Sequence, residues 1–420
     1  MIDAMTAPGP SAVNPRPVVR LAYLVSHPIQ YQAPLLRRIA QEPDIDLTVL
    51  FGSDFSVRGY KDEGFGVEVA WDVPLLEGYR SEFLRPLRDT GQVSPLSPIS
   101  RGLFRRLQNP DGSPAFDALW VHGYASANAL AGILSAHILG IPVLLRAESW
   151  LADRARSPRK LAAKQLFFSL LRPAIAATLP IGARNYEYWR HYFGPGMPQF
   201  LMPYAVDNNF FAQRTAAAAT QQDDLRAELQ LAPHRPVLLF ASKLQKRKHA
   251  DHLLEAYRRL CAATREEEQP YLLFVGEGEE RSRLESLAQQ HALSGVRFTG
   301  FRNQSELPRF FSLAGVFVLP SRHEPWGLIV NEAMSAGCAV IVSDDVGCHA
   351  DLITNGVEGF VYPFGDLDAL TQALSNVLRS PGAAREMGEA AQRRIAGWSF
   401  DADIQGLRAA LAAVTRKLIA

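Results

Sequence analysis

The 420-residue chain has little cysteine, almost no surplus of charge and no uninterrupted apolar run of membrane length. Its three cysteines, Cys261, Cys338 and Cys348, are odd in number and lack paired metal spacing. A disulfide framework and a structural zinc centre are excluded, and a reducing compartment fits. Forty-four basic against 43 acidic residues leave a net charge of +1, far from the strongly basic domain of electrostatic nucleic-acid binding, so no nucleic acid is expected as a partner. The most apolar stretch, 129–145, is broken by His137, Gly140 and Pro142 and falls short of the ~18 unbroken apolar residues of a membrane span. Residues 1–17, rich in Pro, Ala and Ser, carry neither the basic n-region nor the apolar h-region of a secretory signal and read as a flexible tail. No G-x-G-x-x-G follows the first apolar run, which disfavours a dinucleotide-dependent dehydrogenase.

What is present is an alternation of short apolar runs with longer helical patterns. VVRLAYLVS, LTVLFGS, ALWVHG, PVLLRAES and ATLPIG come first. A polar, Ala-rich stretch over 213–236 interrupts, and PVLLFAS, YLLFVGEG, VRFTGF, VFVLPS, AVIVSDD and GFVYPFG follow. Continuous runs rich in Val, Leu and Ile are strands buried on both faces of a parallel sheet, so the fold class is α/β with two successive doubly wound halves. Ligands of such sheets bind beyond the carboxyl ends of the strands. The polar residues found there are Ser26-His27, His122-Gly123, Glu148-Ser149, Ser242-Lys243, Gly276 to Gly278, Gly300 to Arg302 and Ser321 to Glu324.

The strongest signal is PSRHEPWGLIVNEAMSAGCAVIVSD, residues 320–344. A strand ends, a loop carries Glu324 and Gly327, and a helix begins near Leu328 and contains Glu332. Gly327 permits close backbone approach, and the helix start offers free N–H groups to a phosphate. The two carboxylates are then expected to face one cleft and to accept from hydroxyls, as on sugars and ribose. In FASKLQKRKHADHLLEAY, residues 240–257, Lys243 lies at a strand end and Lys248 near a helix start, so both ammonium groups can reach an anion. The alternative is that Lys246, Arg247 and Lys248 form an exposed basic turn.

Together these features resemble the GT-B glycosyltransferases of retaining family 4, glycosyltransferase group 1. The E-x7-E motif stands as Glu324 to Glu332 followed by Ala333-Met334 and Gly337. The phosphate-binding pattern stands as Lys243-Leu244 with Lys248-His249, while VGEG, TGF, NGVEGF and PYAVD occur in family order. The resemblance implies two Rossmann-like domains facing across a crevice, with a C-terminal helix returning to the N-domain. The expected divisions are an acceptor-side domain over 18–207, a linker over 208–235, a nucleotide-sugar-binding domain over 236–395 and the returning helix over 396–420. It further implies that Lys243 and Lys248 bind the donor diphosphate, Glu324 the donor sugar and Glu332 the ribose. The Gly327-Leu328-Ile329 backbone would line the sugar-phosphate, Phe301 and Arg302 would lie beside the base, and His122 would touch the donor sugar. For His122 a satisfied core histidine is the alternative.

Three departures from the family pattern stand out. Lys243 replaces the usual arginine, exchanging a bidentate fork for a point charge. SHPIQYQAP, with His27, Gln30 and Tyr31, takes the place of the Gly-rich loop after the first strand, and His249 stands where glycine is usual. The implied activity is transfer of a sugar from a nucleotide diphosphate sugar to a saccharide or lipid-linked acceptor with retention, and neither a metal nor a cofactor is expected. A nucleotide-sugar 2-epimerase, a phosphorylase and an inactive sugar-nucleotide-binding scaffold are the competing readings. The lone D-x-D, Asp401-Ala402-Asp403, reads as a helix start with Asp401 as its cap. The basic cluster Arg154, Arg156, Arg159, Lys160, Lys164 and Arg172 reads either as a solvated helix face or as a peripheral contact with anionic lipid. The expected location is the cytoplasm, including the inner face of the cell membrane.

Overall fold

The computed structural model describes residues 18–62, 64–152, 156–380 and 382–415. The expected tail, Arg154 of the basic cluster and the last five residues lie outside them. Each apolar run is a strand. In the first domain these are β1 (Val19–Val25), β2 (Ile45–Phe51), β4 (Ala118–His122), β5 (Val143–Arg146) and β6 (Ala177–Thr178), and a further strand that no apolar run marks, β3 (Arg80–Phe83), joins them at the sheet edge. In the second they are β7 (Val237–Ala241), β8 (Tyr271–Val275), β9 (Val296–Gly300), β10 (Val316–Leu319), β11 (Ala339–Ser343) and β12 (Gly359–Tyr362). Both sheets are wholly parallel, ordered β3-β2-β1-β4-β5-β6 and β9-β8-β7-β10-β11-β12. Each therefore reverses direction once, between β1 and β4 in one and between β7 and β10 in the other, and opens its crevice there.

The unbroken hydrophobicity of the runs reflects helices on both faces. In β1, Ala22 and Leu24 pack with Leu119, Ile133 and Phe168 on one side. Val19, Leu21 and Tyr23 pack on the other with Leu36, Ile404, Leu407 and Leu411. Those last three belong to the helix Phe400–Thr415, which thus returns from the end of the chain to close the underside of the first sheet. One buried ion pair ties it down: Asp403 Oδ1 lies 3.2 Å from Arg146 Nη2, and that nitrogen also donates to the carbonyls of Met202 and Pro203. Burial pushes the Asp403 carboxyl up to about 7 against the pull of Arg146.

Two expectations are corrected here. Residues 208–235 are not a linker. They form the helices Asn208–Ala218 and Gln222–Glu228, and Phe211, Leu225 and Leu231 are buried in the second domain's core. Alanine is a strong helix former, and three large apolar side chains anchor an otherwise polar segment. Asp401 is not the cap of the last helix, because the Ala402 N–H donates to Ser399 Oγ and Asp401 sits in the first turn facing Arg38 at 3.2 Å.

Candidate active site

At the carboxyl ends of β7 and β10 the sequence builds two different loops. After β7 come Ser242 and Lys243, then a tight turn over Lys246–Lys248 and the helix Ala250–Ala262. After β10 the chain loops through Glu324 to Gly327, whose φ of +93° belongs to the left-handed region that glycine reaches without a Cβ penalty. The helix Leu328–Ser335 starts there with no side-chain cap, so its first N–H groups and its positive dipole end remain available to an anion.

A cavity of about 400 Å³ opens at this point between the domains. Lys243, Lys248, Phe301, Arg302, Ile329 and Glu332 line it from the second domain, and His27, Gln30, Tyr31, Asp62, Phe65 and Trp71 from the first. Glu332 is buried, its Oε2 has no partner, and burial pushes its carboxyl up to about 8. Leu328 is turned toward the second domain's core and Gly327 sets the helix start, so only Ile329 of that trio lines the cavity.

Glu324 departs from expectation. It does not line the cavity; it is ion-paired with Lys248 and with Arg247 at 3.0 Å, its side chain 12 % exposed and that of Lys248 7 %. Burial pushes the Glu324 carboxyl up, but the two cations outweigh it and leave it below its ordinary value. Burial likewise drags Lys248 down, and Glu324 pulls it partly back. The basic turn is therefore not exposed at Lys248, whose carboxylate partner fixes the ammonium at the cavity wall.

Lys243 is held by a residue that the sequence does not single out. Its Nζ donates to both oxygens of Asp62, at 2.7 and 2.8 Å, and lies 4.7 Å from the centre of the Phe65 ring. Phe65 in turn meets Phe301 edge to face at 4.8 Å. Burial pushes Asp62 up, and the Lys243 hydrogen bond, with those of the Phe65 and Gly64 amides, brings it below its ordinary value. Asp62 and Phe65 belong to a small hairpin, Tyr60–Lys61 against Glu68–Val69, inserted in the first domain. No motif marks it, because its partners come from the other domain, about 180 residues away.

His122 is not brought to this cavity. It lines a second one of about 510 Å³ at the switch point of the first sheet, with its Nε2 3.7 Å from Glu148. The turn Ser26-His27 is the partition between the two: Ser26 faces the second cavity, His27 the first, and their side chains hydrogen-bond at 2.8 Å. Burial, with His122 nearby, pushes His27 down to about 4, so it is neutral at neutral pH.

As for metals, His249, Asp251 and His252 bring one ligand atom each within 4.8 Å of one another. Arg283 already occupies Asp251 at 3.0 Å, which makes this trio an ordinary charged helix start. The carboxylates of Asp401 and Asp403 face different arginines. Among the described residues no helix is long and apolar enough to cross a membrane.

Two doubly wound sheets with a crevice between them and a last helix crossing back define the GT-B fold. Anabaena HepE in complex with UDP and glucose superposes with a TM-score of 0.68 at 16 % identity, over 94 % of this chain and all of that one. Residues 221–394 match the model of the family described as glycosyl transferases group 1. The matched segment holds Lys243, Lys248, Phe301, Arg302 and both glutamates. Glycogen synthase of Mycobacterium tuberculosis is 30 % identical over 223 residues, 53 % of this chain and 49 % of that protein. Lipopolysaccharide core biosynthesis glycosyltransferase LpsE of Rhizobium meliloti is 28 % identical over 173 residues, 41 % of this chain and 48 % of that protein. The chain thus spans about half the length of these curated relatives.

Proposed function

We propose that the protein is a retaining, metal-independent glycosyltransferase that moves a sugar from a nucleotide diphosphate sugar to an acceptor hydroxyl, in cell-surface polysaccharide or glycolipid assembly. The observation that carries this reading is the convergence of Lys243, Lys248, the uncapped helix start after Gly327 and the unpartnered Glu332 carboxyl on one cavity. Two cations and a helix N-terminus suit a diphosphate, and a carboxyl with a spare oxygen suits a ribose hydroxyl.

As the bond from the anomeric carbon to the diphosphate breaks, negative charge grows on the leaving group. Lys243, Lys248 and the helix dipole meet it, and Lys248 is already fixed by Glu324, which Arg247 also pairs, so little reorganisation accompanies the charge transfer. Retention follows if the acceptor attacks on the face the diphosphate leaves, with a departing phosphate oxygen taking the hydroxyl proton. Glu324, which the family resemblance assigns to the donor sugar, also acts here through Lys248. The surface-polysaccharide setting is supported by the likeness to the lipopolysaccharide enzyme.

The test is a thermal-shift panel of UDP-, GDP- and ADP-sugars with and without EDTA, on the wild type, Lys248→Ala and Glu332→Ala. One nucleotide class is expected to stabilise the wild type regardless of EDTA and to lose its effect in both variants. Stabilisation that survives both substitutions would place the nucleotide elsewhere and overturn the assignment.

A further inference from the structure

The cavity between the domains is walled on one side by a segment that the first domain sends across the crevice. After the hairpin that brings Asp62 to Lys243, the chain passes through Ala70, Trp71 and Asp72, and Trp71 lines the cavity half-buried. Its place is set from the other domain. The Asn303 carboxamide brackets it: Asn303 Nδ2 donates to the Ala70 carbonyl at 2.7 Å, and the Asp72 N–H donates to Asn303 Oδ1 at 3.4 Å. The Ser305 hydroxyl donates to the Asp72 carboxylate beside them. Hydrogen bonds on both sides of one residue fix where it stands, so the loop after β9 positions Trp71 over the cavity.

That same loop holds two polar atoms with nothing to bond. Arg302 and Gln304 line the cavity on either side of Asn303, and Arg302 Nε and Gln304 Oε1 are buried with no partner among the described residues. Glu306 accepts from Arg302 Nη1 at 3.3 Å, which holds the guanidinium and leaves Nε unmatched. Buried donors and acceptors are seldom left so in a folded protein, and here one of each faces a cavity. A guest that matches them brings a hydrogen to Gln304 and an acceptor to Arg302. The phosphates of a donor have no hydrogen to bring, and a sugar ring has no π face for the tryptophan. A nucleobase supplies all three, an N–H, a neighbouring acceptor and a flat face that stacks on an aromatic side chain.

We propose that the nucleobase of the donor is held across the crevice, its face covered by Trp71 from the first domain and its edge read by Gln304 and Arg302 from the second. The inference rests on the transferase reading and adds Trp71 and Gln304 as residues that set base specificity. It is tested by calorimetric titration of UDP, GDP, ADP and inorganic pyrophosphate into the wild type, Trp71→Ala, Gln304→Met and Lys248→Ala. Pyrophosphate carries the charge of the donor without its base, so it separates contacts with the base from contacts with the phosphates.

The nucleotide that the wild type prefers should weaken about tenfold in Trp71→Ala, the loss of one stacked face, and about fivefold in Gln304→Met, the loss of one hydrogen bond. Pyrophosphate should bind both variants as it binds the wild type, and only Lys248→Ala should weaken it. Methionine replaces an unmatched acceptor by an apolar chain of similar length, so Gln304→Met should melt no lower than the wild type, which a merely structural glutamine would not allow. Nucleotide affinity within about twofold of wild type in either Trp71→Ala or Gln304→Met overturns the inference, as does a parallel loss of pyrophosphate. If no nucleotide binds the wild type, the transferase reading falls and takes the inference with it. Nucleotide binding that depends on Lys248 and ignores Trp71 and Gln304 overturns the inference and leaves that reading standing.

Discussion

The two domains use one strand order and start a helix at the same place, after the strand that reverses the sheet, yet they finish that start in opposite ways. In the first domain Ser126 takes up the Ala129 N–H. In the second, Gly327 stands at the equivalent position, and no side chain bonds the helix start. A capped start is a structural joint. An uncapped one retains donors that a ligand can satisfy. The difference teaches that duplicated architecture fixes where a site lies, while the one residue before the helix decides whether the backbone itself takes part.

The comparison predicts unequal effects, and the largest belongs to the open start. Lys248→Ala should lower turnover by two orders of magnitude or more, about 3 kcal/mol by analogy with oxyanion-hole donors, measured as kcat with donor in excess. Near-normal turnover would remove the uncapped cleft from the chemistry altogether. Gly327→Ala forces a side chain into a left-handed conformation at a cost of roughly 1–3 kcal/mol. The new Cβ also meets Val346 Cγ1 at 3.0 Å and Leu319 Cδ2 at 3.2 Å. A lowered urea midpoint together with weakened nucleotide binding is expected, and unchanged nucleotide affinity would break the link between that glycine and the ligand.

On the capped side, Ser126→Ala should cost about 1 kcal/mol of stability and leave nucleotide affinity as it was. A change in nucleotide affinity would show that the two helix starts serve one site.

The smallest effect is a proton. Glu332 is pushed up to about 8 by burial, so it is largely protonated at pH 7. A ribose hydroxyl donating to it favours the carboxylate, and nucleotide binding at pH 7 should then release up to one proton and strengthen as pH rises toward 8. The sign for stability is the reverse. The folded protein holds a proton that the unfolded chain gives up above the ordinary carboxylate range, so this contribution fades as pH climbs through about 8. Calorimetry in buffers of different ionisation enthalpy reads the proton, and Glu332→Gln should abolish the buffer dependence.

Much of this was legible before any coordinates. The strands announced themselves because a sheet covered on both faces needs unbroken apolar runs, and Gly327 with Glu332 announced the cleft because a strand, a glycine turn and a helix start are local in sequence. Residues 208–235 misled because three anchoring side chains, Phe211, Leu225 and Leu231, are too few to raise an apolar pattern over alanine and polar neighbours. Glu324 was found and its present partners were not, since an ion pair with Lys248 spans 76 residues. Asp62 and Phe65 were illegible for the same reason, their meaning lying wholly in what the other domain places opposite them.

The Asp62–Lys243 contact also changes how the cleft behaves as an electrolyte. A lysine poised for a diphosphate would ordinarily gather ions from solution and give them up on binding, which makes affinity fall steeply with salt. Here the protein carries its own counter-ion, tethered on a hairpin, and under the proposed donor role a phosphate oxygen would take over from a carboxylate oxygen already in place. Under that proposed role of Lys243, binding becomes an exchange of anions, nearly indifferent to ionic strength at that position.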